Sequence, residues 1–149
     1  MDSYQFWKVL HVMSAVLLVG NVTVTGFWAH FLYRQRAAVG FRAIARGIMW
    51  SDILFTVLGG AGLTVTGILM VRAQHLSIME VPWLRRGVLM LVISTVAWLV
   101  FLLPDQLRME RVDQSDDRGV RRLFTRWSAL GWASTILLFV GLWSMVMKR

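Results

Sequence analysis

The chain has 149 residues, of which 57% are hydrophobic and 16% charged, with a mean hydropathy of +0.61 and a net charge of +8. That charge content is too low for the surface of a soluble domain of this length, and the arginines have no soluble module that would present them to nucleic acid. The absence of cysteine excludes structural disulfides, thiolate chemistry and Cys-ligated clusters.

Four apolar runs explain the composition: residues 9–32, 48–71, 87–103 and 127–147. A helix needs roughly 20 apolar residues to cross a hydrocarbon core of about 30 Å. Backbone in lipid must satisfy its own polar groups, so such runs are helical. The expected fold is all-α, a polytopic membrane protein forming a four-transmembrane-helix bundle. It is one membrane domain, 1–149, with spans near 6–32, 46–72, 83–104 and 126–147 and a charged loop over 105–125. The first run is too long for the core of a cleavable signal peptide, and no small-x-small site follows it.

In the first span, His11 stands one turn after Lys8, at the entry of the apolar run. It reads either as an interfacial packing and hydrogen-bonding residue or as a cofactor and metal ligand. Ser14, Asn21, Thr25 and Trp28 fall within about 40° of one another on a helix of 3.6 residues per turn. Asn21 lies near mid-membrane, where its amide needs a partner. It either fixes helix packing or belongs to a ligand site.

The second span contains Asp52, the only acid inside an apolar run. A salt bridge to Arg46 or Arg126 is expected, and the alternative is a proton or cation site. Gly59, Gly60, Gly62 and Gly67 follow. Small residues let helices approach closely, and the alternative is that they make room for a flat cofactor.

The third run, 17 residues between Arg86 and Pro104, is the shortest. Trp83 and Leu84 extend it if Arg85 and Arg86 snorkel, and Pro104 marks its expected end. Residues 105–126 mix five acids with six arginines. They read as a solvated loop with helical extensions, or as a docking surface for a partner or anionic lipid. The fourth span offers Ser128, Gly131, Ser134, Thr135 and Gly141 for packing. Trp7, Trp28, Trp50, Trp83, Trp127 and Trp143 form the expected interfacial belt, while Trp98 and Trp132 lie deeper and fill the interior.

Ten of the 16 basic residues fall in the connections after the first and third spans, and six fall on the other side: Lys8, Arg72, Arg85, Arg86, Lys148 and Arg149. The positive-inside rule puts the ten in the cytoplasm and both termini outside. No three or four ligands are spaced for zinc. A haem needs only one or two axial ligands, so His11 remains a haem candidate. Copper handling by Met13, Met70 or Met79 near His11 or His75 is a third reading, since thioethers suit Cu(I). Thr23-Val24-Thr25-Gly26 recurs as Thr64-Val65-Thr66-Gly67, either a trace of duplication or a shared packing need.

The order Trp7, Lys8, Leu10-His11, Gly20, Leu103-Pro104-Asp105-Gln106, Arg126-Trp127, Leu130-Gly131 and Leu142-Trp143-Ser144-Met145-Val146-Met147-Lys148 resembles the bacterial integral membrane proteins of domain-of-unknown-function family 2269. That likeness implies a bacterial inner-membrane location and no particular activity. A more distant likeness is to the HemJ-type protoporphyrinogen oxidases and the membrane domain of copper-resistance protein D. It rests on Lys8-Val9-Leu10-His11, Gly20, His30, Ile48-Met49 and Trp83-Leu84, and implies b-type haem bound through His11. The Pro-Arg pair before the second histidine and the lysine after Trp-Leu are missing, which argues against the oxidase activity.

With no convergent catalytic set, the expectation is a non-enzymatic accessory or assembly subunit. It would sit in the lipid bilayer beside the subunits of a larger respiratory or photosynthetic complex, or with copies of itself. A b-type haem redox protein is the alternative.

Overall fold

The structure, a computed structural model, describes residues 3–148; Arg149 of the outer-side basic count lies outside them. Four helices are long and apolar enough to cross a membrane: α1 (Ser3–Arg34), α2 (Phe41–Ala73), α3 (Pro82–Arg111) and α4 (Asp117–Met147). No strand occurs among the described residues. The protein is an all-α polytopic membrane protein, a bundle of four spans.

The helix ends follow local chemistry. A one-turn helix, Arg36–Val39, fills the first connection, and Gly40 turns the chain at φ +83°, a conformation that favours glycine. Pro82 opens α3 where its missing N–H costs nothing. Asp116 caps α4, its Oδ1 accepting from the Gly119 N–H at 3.0 Å.

Three helices run past their expected inner limits. α2 begins at Phe41, not near 46, and α3 continues through Pro104 to Arg111. Proline normally clashes with the carbonyl four residues back. Here a π-helical turn, Trp98–Leu102, immediately precedes it, and the wider turn shifts that carbonyl away. Residues 105–125 are therefore mostly helical, with only 112–116 outside helix. Nor is the segment uniformly solvated: Asp105, Gln106, Met109, Val120 and Phe124 are all buried.

The helices form two antiparallel hairpins, α1 with α2 and α3 with α4. The hairpins meet at the end that carries the α1–α2 and α3–α4 connections, called here the closed end. There α2 contributes Phe41, Ile44 and Ile48, α3 contributes Met109, and α4 contributes Val120, Phe124 and Trp127 to one core. Tyr33 of α1 stacks on Phe124 at 3.9 Å between ring centroids. Trp127, expected in the interfacial belt, is instead only 6% exposed. An ion-pair layer surrounds this core. Arg126 pairs with Asp105, Arg46 with Glu110 at 3.1 Å, and Arg36 with Asp117 at 2.8 Å.

At the other end the hairpins separate. No part of α2 from Val57 to Ala73 comes near α3 or α4. Each hairpin closes on itself. Within α1–α2, a Cβ on Gly59 would meet the Leu18 backbone nitrogen at 2.8 Å, and one on Gly62 would overlap Ser14. Within α3–α4, Gly87 lies against Met145 and Gly141 against Met90. Ser94 Oγ donates to the Ser134 carbonyl at 3.3 Å. These are close approaches of the kind small residues permit.

Candidate functional site

The gap between the hairpins is a cleft of about 500 Å³. Its walls come from all four helices. Its rim includes the exposed Thr64, Val65, Thr95 and Leu99, and its floor includes Asp52, Thr56, Trp98 and Trp127. From Asp52 to Arg72 is 21 residues, or roughly 30 Å of helix, the thickness of a hydrocarbon core. Asp52 thus marks one boundary of the apolar layer, and the cleft runs from it into that layer.

Asp52 is 6% exposed and, among the described residues, forms no ion pair. Its Oδ1 accepts from Thr56 Oγ1 at 3.0 Å and Asn21 Nδ2 at 3.2 Å, and its Oδ2 accepts from Gln106 Nε2 at 2.5 Å and Trp98 Nε1 at 3.4 Å. The expected salt bridge to Arg46 or Arg126 does not form. Those arginines serve Glu110 and Asp105, because the extension of α3 past Pro104 brings these two acids to the closed end. Asp52 also opens a π-helical turn, Asp52–Thr56. Two π turns, on α2 and on α3, therefore flank the Asp52–Trp98 contact, and such turns gather at functional sites.

Asn21 is the hub of this cluster. Its Nδ2 also donates to Thr56 Oγ1 at 2.9 Å, while its Oδ1 accepts from Ser51 Oγ at 2.6 Å and Thr25 Oγ1 at 3.2 Å. Its amide thereby ties α1 to α2 and orients the aspartate.

Sequence reasoning missed Gln106, which stands in the segment expected to be a loop. It is 1% exposed, and its Oε1 is buried without a partner, as is the Trp127 Nε1. Its one readable signal is its place in Leu103-Pro104-Asp105-Gln106 of the family-like pattern.

His11 lies outside the cleft. Its Nδ1 is 2.9 Å from Thr66 Oγ1, whose hydroxyl donates to the Gly62 carbonyl. In the tautomer with the proton on Nδ1, His11 donates to Thr66 and Nε2 keeps a lone pair, as an axial ligand requires. The room assigned to a macrocycle on α2 is filled, however. Gly59, Gly62 and Gly67 face Leu18, Ser14 and His11 of α1, with a Gly67 Cβ 3.3 Å from His11 Cε1. Only Gly60 of the four has nothing within 4 Å, and it lines the cleft. The residues present do not fit a haem seated between α1 and α2.

Two methionines of the copper set stand apart from His11. Met13 is two residues from His11 on the helix, hence on the opposite side, and is 57% exposed; Met79 is 77% exposed in a loop. Among the described residues no group of three or more His, Cys, Asp or Glu converges on a metal position. The sequence echo has matching roles. Thr25 meets Ser51 of α2, and Thr66 meets His11 of α1, both across one interface.

A family model described as a predicted integral membrane protein, DUF2269, matches residues 5–149. No curated protein and no solved structure matches the chain.

Proposed function

The chain belongs to the DUF2269 family of predicted integral membrane proteins, and from that premise we propose that it is a non-enzymatic accessory protein of the bacterial inner membrane that holds a hydrophobic molecule in its intramembrane cleft. The carrying observation is a cleft of about 500 Å³, with mainly apolar walls that carry a few hydroxyls and a buried carboxylate at its floor. Its rim is open between α2 and α3, so an occupant enters sideways from lipid. Ligand sites in membrane bundles are commonly built between helices, with a few placed polar groups. The threonines on its walls act mainly as acceptors. Thr64, Thr95 and Thr135 donate their hydroxyls to carbonyls of their own helices, at 2.8, 2.8 and 2.9 Å.

The closed end, with its ten arginines, faces the cytoplasm in this reading, and both termini face outward. The lipid-facing helix surfaces suit a subunit beside a larger respiratory or photosynthetic complex, or a second copy.

Gentle purification from the native membrane, with mass spectrometry of the co-purifying chains and extractable small molecules, tests the proposal. A hydrophobic molecule should accompany the natural chain and be lost from Gly60→Trp, whose indole fills the cleft. Retention of the same molecules by that variant would sink the reading, as would substrate turnover by the isolated protein. An absorption spectrum of the same sample separates the haem alternative. A Soret band removed by His11→Ala would replace this proposal with that one.

A further inference from the structure

We infer that the cleft is a site for a lipophilic organic cation, with Asp52 as its counter-charge and tryptophan faces as its wall. This rests on the cleft being a ligand site and names the class of ligand.

Asp52 is a lone acid at the floor of an apolar cavity. All four of its partners, Asn21, Thr56, Trp98 and Gln106, are neutral donors. Protonation would turn one acceptor oxygen into a donor and sacrifice one of these bonds. None of these neutral donors balances the charge that Asp52 carries when ionised. Buried acids are ordinarily paired, and the closed end follows that rule at Asp105, which takes Arg126. Asp52, by contrast, stands beside open space in a low-dielectric layer where an unbalanced charge acts strongly.

That space suits a cation with an apolar body. Trp98, Trp127 and Trp132 all line it, and aromatic faces attract cations, more so when both are desolvated. The wall hydroxyls with committed donors present acceptor oxygens, which favour a cation or hydrogen-bond donor over an anion. Among the described residues, no lysine or arginine lines the cavity. An inorganic cation would leave the apolar walls unfilled, and a neutral lipid tail would leave the charge unmet. A lipophilic cation meets both.

The test uses the full chain in nanodiscs of zwitterionic lipid, with two probes of nearly the same shape: methyltriphenylphosphonium and its neutral carbon analogue, 1,1,1-triphenylethane. Binding is read by quenching of tryptophan fluorescence and by equilibrium dialysis. The natural chain should bind the phosphonium roughly tenfold or more tightly than the hydrocarbon. Asp52→Asn should remove that preference, and Gly60→Trp should block both probes. Equal affinity for the two probes on the natural chain, or an undiminished preference in Asp52→Asn, would overturn the inference. Equal affinity combined with blockade by Gly60→Trp removes the cation claim and leaves the cleft reading standing. Binding of neither probe removes both. If Asp52→Asn fails to fold, the comparison of the two probes on the natural chain decides.

Discussion

The two ends of the bundle are built from the same four helices and settle their polar groups in opposite ways. At the closed end a buried acid, Asp105, is matched by an arginine, and aromatic rings fill the space between hairpins. Where the open end begins, at the floor of the cleft, a buried acid, Asp52, is matched only by neutral donors, and beyond it the space between hairpins is left open. One end is organised as a joint, and the other is left open. The difference teaches that the hairpins are held together by their closed-end extensions, which leaves the other half open between α2 and α3.

The comparison can be broken by removing the joint. Phe124 is 3% exposed and stacked on Tyr33. Phe124→Ala should cost about 3–5 kcal/mol in reversible unfolding in mixed micelles. A loss below 1 kcal/mol would mean the hairpins are joined elsewhere. Next in size, Asp105→Ala strands Arg126 and leaves its hydrogen bonds unmade. Because Arg126 is half exposed, water recovers part of the loss, and about 1–3 kcal/mol is expected. An unchanged unfolding midpoint would show the ion-pair layer to be ornamental.

Adjacent glycines sharpen the contrast at the open end. Gly59→Ala places a methyl against the Leu18 backbone, which cannot give way as a side-chain tip could, and should cost about 1–3 kcal/mol. Gly60→Ala points into the cleft and should stay within about 0.5 kcal/mol of the natural chain. Equal effects at the two sites would mean that α2 is rotated relative to α1. The smallest effect is expected at the His11–Thr66 bond. Thr66→Val should cost about 0.6 kcal/mol, the usual worth of an interhelical hydrogen bond in a membrane. A loss several times larger would give this pair a role beyond packing.

Much of this architecture is legible along the chain. Hydropathy alone places the four spans, since residues 9–32 or 127–147 have no other solution in lipid. The need of Asn21 for a partner is also readable, because an amide in hydrocarbon must bond to something. Which partner it takes is not readable. Asp52 and Asn21 are 31 residues apart, and only the antiparallel pairing of α1 with α2 joins them. Gln106 is hidden for a different reason. Pro104 and the charges after it read as the end of a helix, and the π turn that lets α3 continue leaves no pattern in the sequence.

The sequence by itself determined the class, the number of spans and the set of polar residues that lipid will not tolerate unpaired, because transfer from water to hydrocarbon acts residue by residue. The tertiary structure alone decided the rest. It assigned the arginines to Asp105 and Glu110 and left Asp52 to neutral donors. It spent Gly59, Gly62 and Gly67 on α1 and left Gly60 facing open space. These outcomes depend on helix rotation and on how far two hairpins approach, and both are set by packing between residues distant along the chain.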